Sequence, residues 1–67
     1  MPNRVKERRD ARGWSLAELA RRSGISAPNI GRIERGEIRP SLETARALSR
    51  ALGWAIDTLF PSERKAS

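Results

Sequence analysis

Apolar residues recur three or four positions apart in several short segments of the chain, and polar turns separate these segments. This spacing places each apolar set on one face of a helix, whereas a half-buried strand would alternate apolar and polar residues. We therefore predict an all-α fold of five short helices around one small core. The positions that carry the pattern are Val5, Leu16, Leu19, Ala20, Ile30, Ile33, Leu42, Ala45, Leu48 and Leu52.

Serine and glycine residues mark the predicted helix ends. Ser15 and Glu18 would form a capping box, in which the Ser15 hydroxyl accepts from the Glu18 amide and the Glu18 carboxylate accepts from the Ser15 amide. Ser26 and Ser41 are expected to cap the third and fourth helices, and Pro28 stands in the first turn of the third, where no intrahelical donor is lost. The glycines expected to end the first four helices are Gly13, Gly24, Gly36 and Gly53.

The first and last helices complete the predicted domain. Asn3 is expected to cap a first helix that extends to about Arg12. A last helical turn is predicted over 56–60. Residues 1–61 would then form a single domain, and 62–67 a short polar tail that we expect to be frayed.

The chain is strongly basic. Its 67 residues contain 14 Lys and Arg against 8 Asp and Glu, which gives a net charge of +6, and twelve of the basic residues are Arg. A GC-rich codon bias would explain the preference for Arg over Lys, but it does not explain the positive excess. We therefore expect a nucleic-acid partner, because Arg binds phosphate and guanine through two parallel N–H groups.

Composition also argues against several classes of protein. The sequence has no Cys and no His, so it offers no disulfide, no thiolate site and neither the commonest general base nor the commonest metal ligand. It has no glycine-rich phosphate loop and no carboxylates at metal-ligand spacing, so we expect no catalysis, no cofactor and no metal. No apolar run reaches the length of a membrane span or a signal peptide, and we expect a cytoplasmic protein that contacts no membrane.

The second and third predicted helices flank the turn at Gly24, which is the outline of a helix-turn-helix. Across Val5 to Phe60 the chain resembles the small DNA-binding domain of the Cro and CI-type phage repressors, also called the Xre family. The resemblance implies a compact five-helix, lambda-repressor-like fold that binds double-stranded operator DNA, usually as a two-fold homodimer, and we expect no small-molecule ligand. It rests on six motifs in order: Arg-Gly-Trp-Ser at 12–15, Ala-Glu-Leu-Ala at 17–20, Gly-Ile-Ser at 24–26, Ile-Gly-Arg-Ile-Glu-Arg-Gly at 30–36, Pro-Ser-Leu-Glu at 40–43 and Ala-Leu-Gly at 51–53.

In this family the third helix lies in the major groove and reads base edges with its N-terminal residues. The resemblance places Ala27, Pro28 and Arg32 at the base-reading positions, with Asn29 beside them. Arg32 could bind guanine O6 and N7, and Asn29 could bind adenine or a phosphate, whereas the other two offer apolar contact to a thymine methyl. The alternative is that Arg32 is a solvated helix residue and Asn29 an ordinary first-turn residue.

Phosphate contacts are expected around this reading helix. In the family, Gln commonly follows the cap of the second helix and contacts phosphate, but here that position is Leu16, which would pack or touch a sugar instead. The candidate phosphate-binding residues are Ser26, Arg35, Arg39, Arg22 or its neighbour Arg21, Arg4 and Arg8.

Four further residues receive structural interpretations. The resemblance implies that Arg9 and Glu34 form a partly buried ion pair between the first helix and the end of the third. By its spacing, Trp14 is expected in the core. Gly31 lies inside the third helix, where glycine costs about 1 kcal/mol relative to alanine, so it either permits close approach to DNA or is simply tolerated.

A cluster after Gly53 is the candidate dimer interface. Trp54, Leu59 and Phe60 lie in the segment that similar repressors use for dimer contacts, and aromatic residues are enriched at interfaces. The alternative is that they complete a very small core. Ala55 replaces the Ser that family members usually carry before the last helix, so this helix lacks a side-chain cap and is expected to depend on the dimer.

We therefore predict a sequence-specific transcriptional regulator, a repressor or an activator, that acts on a palindromic operator and regulates its own gene. It would have no attached sensor domain and would respond to its own concentration or to a partner. The alternative is a protein-interaction or antitoxin-like module of the same fold, which would carry acidic residues on the third helix, and 26–33 contains none. RNA binding has less support, because the few aromatic residues do not form a stacking surface.

Overall fold

The computed structural model describes residues 2–61, and five helices account for most of this range. They are α1 (Val5–Ala11), α2 (Leu16–Ser23), α3 (Ala27–Glu34), α4 (Leu42–Leu52) and α5 (Ile56–Leu59). The described residues contain no strand, so the all-α prediction is confirmed. The tail predicted over 62–67 lies outside the described residues.

Three serine hydroxyls cap α2, α3 and α4, as the sequence predicts. Each hydroxyl oxygen accepts from the main-chain N–H three residues later, which satisfies a donor that a helix N-terminus leaves without an intrahelical partner. The main chain at each cap is extended, so the cap also fixes the point where the helix begins. The pairs are Ser15 with Glu18 at 3.0 Å, Ser26 with Asn29 at 3.3 Å and Ser41 with Thr44 at 3.2 Å.

The second half of the predicted capping box does not form. The Glu18 carboxylate turns away from Ser15 and accepts hydrogen bonds from the guanidinium groups of Arg21 and Arg22, one turn further along α2. The bond from Arg21, followed by that from Arg22, lowers the pKa of Glu18. Charged donors three and four residues away therefore displace the neutral Ser15 amide as the partner of this carboxylate.

The start of α1 differs from the predicted cap at Asn3. Arg4 occupies the N-cap position without a side-chain cap bond, and the Asn3 side-chain oxygen accepts from the Val5 N–H at 3.1 Å. The Asn3 side-chain nitrogen donates to the main-chain oxygen of Ile33 at 2.8 Å. This one side chain therefore ties the start of α1 to the last turn of α3.

The helices surround one small core. α1 and α2 each pack against α3 and α4, and α5 packs against α4. The main-chain N–H of Arg4 donates to the main-chain oxygen of Leu59 at 2.8 Å, which joins the start of α1 to α5. The buried apolar residues are Val5, Leu19, Ile30, Ile33, Ala45, Leu48, Leu52, Leu59 and Phe60.

Among the residues predicted for the core, Leu42 is exposed, and Trp14, Leu16 and Ala20 are half-buried. Leu42 is 61% exposed, because it is the first residue of α4 and the buried positions of that helix begin one turn later at Ala45. Trp14 is half-buried and packs against the edge of the core. The guanidinium carbons of Arg12 and Arg22 lie 5.0 Å and 4.3 Å from the centroid of its ring. The indole therefore covers the core from outside rather than filling it.

Candidate nucleic-acid interface

α2 and α3 form the helix-turn-helix, and Gly24 makes the turn between them. The φ angle of Gly24 is +78°, a left-handed conformation that costs other residues about 1–2 kcal/mol. Its N–H donates to the main-chain oxygen of Ala20 at 2.9 Å, which closes the last turn of α2. Ile25 follows and packs against the core. The short turn therefore fixes the direction in which α3 leaves α2.

α3 buries one side and exposes the other. Ile30 and Ile33 lie in the core, and the helix packs against α1 and α2. Its first turn carries no acidic residue, so no side-chain charge there opposes an anion near the positive end of the helix dipole. Of the predicted base-reading residues, Pro28, Asn29 and Arg32 are exposed and Ala27 is half-buried. The exposed residues of this region are Ser26, Pro28, Asn29, Arg32 and Arg35.

A Schellman motif ends α3 and places Glu37 beside it. Gly36, with φ of +76°, donates its N–H to the Ile33 oxygen at 3.0 Å, and the Glu37 N–H donates to the Arg32 oxygen at 2.9 Å. The Glu37 carboxylate then accepts from Nε of Arg35 at 2.6 Å and from its Nη2 at 3.4 Å. Glu37 is not among the predicted site residues. The sequence does contain a signal for it, because Gly36 is expected to end α3 and therefore places the next residue beside this helix.

The charges at this end of α3 influence one another. The hydrogen bond to Glu37 raises the pKa of Arg35, and the same bond lowers the pKa of Glu37. The positive charge of Arg32 adds a smaller lowering of the Glu37 pKa. The Arg35 and Glu37 side chains are 59% and 51% exposed, so water screens their attraction. This pair therefore contributes little to stability, and its position beside the exposed side of α3 is its notable property.

Two of the predicted phosphate-binding arginines are held elsewhere. Nε of Arg8 donates to the Leu52 oxygen at 3.1 Å, and its guanidinium carbon lies 4.7 Å from the centroid of the Trp54 ring. Arg22 lies over Trp14 and pairs with a carboxylate of its own helix. Their guanidinium groups thus meet the C-terminal end of α4 and the α1–α2 loop, and phosphate contact by exposed Arg22 and by half-buried Arg8 stays a prediction. The other predicted phosphate contacts are exposed: Ser26, Arg35, Arg39 and Arg4.

The structure also corrects the predicted dimer interface. Leu59 is fully buried and Phe60 is 1% exposed, because both complete the core of the single chain. Ala55 gives α5 no side-chain cap, as predicted, but the burial of these two residues holds α5 without a second subunit. Trp54 is half-buried and keeps some free surface. Among the described residues, the exposed large apolar side chains are Ile38 and Leu42.

Arg9 and Glu34 form the ion pair expected between α1 and α3. Nε of Arg9 donates to Oε2 of Glu34 at 2.7 Å, and Nη2 donates to Oε1 at 3.1 Å. The remaining Nη1 donates to the main-chain oxygen of Trp14 at 2.8 Å. Arg9 therefore has a structural role, because it joins α1 to α3 and to the main chain at Trp14.

Within residues 2–61, no cluster of His, Cys, Asp and Glu side chains has the arrangement of a metal site. No helix in the same range is both long enough and apolar enough to cross a membrane.

Comparison with known proteins identifies the family. The sequence profile of a family described as helix-turn-helix matches residues 5–59. The transcriptional regulator SutR of Escherichia coli is 33% identical over 63 residues, which cover 94% of this chain and 35% of SutR. The transcriptional regulator DdrOP3 of Deinococcus deserti is 38% identical over 57 residues, which cover 85% of this chain and 44% of DdrOP3. The chain thus spans less than half the length of these two curated relatives.

Solved structures show the same fold. The restriction-modification controller protein C.AhdI from Aeromonas hydrophila superposes with a TM-score of 0.80 at 37% identity, covering 85% of this chain and 86% of that one. A chain of the SinR protein–SinI protein complex superposes with a TM-score of 0.82 at 29% identity, covering 96% of this chain and 63% of that one. The chain therefore belongs to the Cro/CI-type, or Xre, helix-turn-helix family of transcriptional regulators.

Proposed function

We propose that this chain binds double-stranded DNA with α3 in the major groove and thereby regulates transcription in the cytoplasm. The observation that carries the proposal is the exposed side of α3, which presents Pro28, Asn29 and Arg32. Arg32 provides paired donors for guanine, Asn29 provides a donor and an acceptor for adenine, and Pro28 provides apolar contact to a thymine methyl. Burial of Ile30 and Ile33 on the opposite side holds this surface in a fixed orientation.

The regulator would act as a homodimer on a palindromic operator. A two-fold axis would place two α3 helices roughly 34 Å apart, which matches one turn of DNA. Of the residues first predicted at the dimer interface, Trp54 is the one that keeps surface in the single chain. The proposal extends to repression or activation of the chain's own gene, and the controller protein C.AhdI, a relative of the same fold, provides a precedent for a regulatory role.

Selection of duplexes from a randomised library by the purified protein tests this function. We expect enrichment of an inverted repeat whose half-site centres lie about one helical turn apart. Affinity for the enriched duplex should fall with salt, with a slope near −0.9 for each phosphate that the protein neutralises. A mobility-shift titration on the DNA upstream of the gene then tests autoregulation.

Failure to enrich any sequence, with equal affinity for all duplexes, would contradict the proposal. The protein-interaction or antitoxin-like alternative would then become the better account of this fold.

A further inference from the structure

Gly31 occupies a position in α3 that alanine would suit better by helix propensity alone. Gly31 is buried, and a Cβ there would stand 3.2 Å from Nη1 of Arg35 and 3.9 Å from Cδ1 of Leu16. Its φ is not among the positive ones of this chain, so the backbone does not require glycine. The absent side chain instead leaves the space that the Arg35 guanidinium occupies. This contact is a third explanation of Gly31, besides close approach to DNA and simple tolerance.

Glu37 holds the guanidinium over Gly31. Its carboxylate accepts from Nε of Arg35 at 2.6 Å and from Nη2 at 3.4 Å, which is the side-on edge of the guanidinium. The main chain of Glu37 is itself fixed, because its N–H donates to the Arg32 oxygen at 2.9 Å in the Schellman motif. An exposed arginine without such contacts would exchange freely among rotamers.

The side-on contact uses Nε and one N–H of Nη2, so Nη1 and the second N–H of Nη2, which form the other edge, make no bond to Glu37. A guanidinium has five N–H donors and can bind an acceptor pair at either edge. Arg35 can therefore keep Glu37 on one edge while the other binds an oxygen of DNA. The Glu37 N–H donates to the main-chain oxygen of Arg32, and the charge of Arg32 also lowers the pKa of the Glu37 carboxyl, so Arg32 and Arg35 are both neighbours of Glu37.

We propose that Glu37 is a positioning residue for DNA recognition, which holds Arg35 over Gly31 so that its free edge meets the duplex together with Arg32. The inference rests on the proposed function, since it assumes that α3 reads DNA. A pre-oriented arginine loses less conformational entropy on binding. Its two donors have a fixed position, so they bind well only to a correctly aligned duplex. Glu37 would therefore increase the preference for the operator even though its own charge repels phosphate.

The Glu37→Gln variant distinguishes a positioning role of Glu37 from the general effect of its negative charge on DNA binding. The measured quantity is the ratio of two affinities from fluorescence anisotropy: that for the duplex selected by the wild-type protein and that for a scrambled duplex of equal length and composition. Glu43→Gln is the matched control, because Glu43 is an exposed carboxylate in the first turn of α4. Both substitutions remove one negative charge and should strengthen binding to any DNA.

We expect Glu37→Gln to lower the affinity ratio about two- to fivefold, the range that an exposed ion pair supplies. Glu43→Gln should leave the ratio unchanged. Equal ratios in the two variants would overturn the positioning role and leave Glu37 as an ordinary surface charge. A wild-type protein that does not distinguish the two duplexes would overturn the proposed function itself, whatever the variants do.

Gly31→Ala provides a second test that does not change charge. The new Cβ would shift Nη1 of Arg35 by a few tenths of an ångström, while alanine favours the helix, so the affinity ratio should fall and the melting temperature should not. The double variant Gly31→Ala/Glu37→Gln should show no further loss, because both changes disturb the position of the same guanidinium. An unchanged ratio in Gly31→Ala, or additive losses in the double variant, would overturn the proposal.

Discussion

Arg9 and Glu34 are paired in the interior between α1 and α3, with only 10% and 6% of their side chains exposed. The hydrogen bond from Arg9 to Glu34 raises the pKa of Arg9, so the guanidinium stays charged inside the protein. Every buried side-chain nitrogen and oxygen of the described residues has a hydrogen-bond partner. The pair is therefore fully compensated as long as both residues are present, and it joins α1 to the last turn of α3.

Glu34→Ala is expected to lower the free energy of unfolding by about 3–5 kcal/mol, because it leaves the Arg9 charge buried without its partner. Thermal unfolding followed by circular dichroism measures the effect. Glu7→Ala, which removes an exposed carboxylate from α1, should change the melting temperature little. If Glu34→Ala melts like the wild-type protein, the pair does not hold α1 and α3 together.

Gly53→Ala should destabilise the chain more than Gly24→Ala. Both glycines end a helix, with φ of +75° and +78°, so the cost of the left-handed backbone is the same in both. A Cβ at Gly53 would also stand 2.9 Å from Nη2 of Arg12, whereas nothing lies within 4 Å at Gly24. That Nη2 donates to the Leu52 oxygen at 3.1 Å. We expect an extra loss of about 1 kcal/mol in urea denaturation, the contribution of one such hydrogen bond.

Arg12→Ala provides the control for this comparison. It removes the group that a Cβ at Gly53 would strike, so the two glycine substitutions should become equally costly in its presence. A difference that persists without the Arg12 side chain would show that the guanidinium is not its cause.

Stability should fall in acid as Glu18 and Glu37 become protonated. Hydrogen bonds from arginines hold the folded-state pKa of each carboxyl below its ordinary value of 4.5. The unfolded chain therefore takes up protons at a higher pH than the folded chain. The stabilisation from these groups is complete above about pH 4.5 and is lost as the pH falls through the folded-state pKa.

Melting temperatures near neutrality and at about pH 3 measure this effect. The double variant Glu18→Gln/Glu37→Gln should lose less stability between the two conditions than the wild-type protein. The difference should be modest, because both ion pairs are exposed. Identical losses in the two proteins would assign acid sensitivity to other carboxylates.

Trp54→Glu is expected to give a folded monomer that binds the selected duplex weakly. Trp54 is half-buried, and a glutamate there would lie beside the guanidinium of Arg8, which is 4.7 Å from the indole centroid. The nearby positive charge should therefore keep the fold intact. Sedimentation velocity measures the oligomeric state. A dimer that survives Trp54→Glu would refute the interface assignment.

Leu42→Glu is the matched control for the dimer. It places the same charge at the most exposed large apolar side chain of the described residues, on the opposite end of α4. We expect this variant to stay dimeric. A monomeric Leu42→Glu protein would move the interface from the C-terminal end of α4 to its N-terminal end.

Features set by a few neighbouring residues could be predicted from the sequence. The caps at Ser15, Ser26 and Ser41 each depend on one hydroxyl and the N–H three residues later, so local pattern is sufficient. The turn at Gly24 depends only on a left-handed φ. The exposed side of α3 could also be predicted, because the burial of Ile30 and Ile33 determines which side of the helix remains exposed.

Features set by competition or by packing between distant segments could not be predicted. Glu18 had a local amide partner available, but the charged guanidinium groups of Arg21 and Arg22 bind its carboxylate instead. The burial of Leu59 and Phe60 depends on where α5 meets the other helices. The direction of the Arg8 side chain depends on a carbonyl 44 residues away. The spacing of apolar residues shows which side of a helix is buried, but it does not show which distant groups pack against that side.

Binding by Arg32→Ala to the selected duplex and to its scrambled counterpart tests the central claim most directly. Arg50→Ala, which removes the same charge from an exposed position on α4, is the control. If α3 reads bases through Arg32, its loss should reduce the preference for the selected duplex at least about fivefold, the lower end of a bidentate base contact. Arg50→Ala should keep the preference. Equal preferences in the two variants would contradict sequence reading by Arg32 and with it the proposed role of α3.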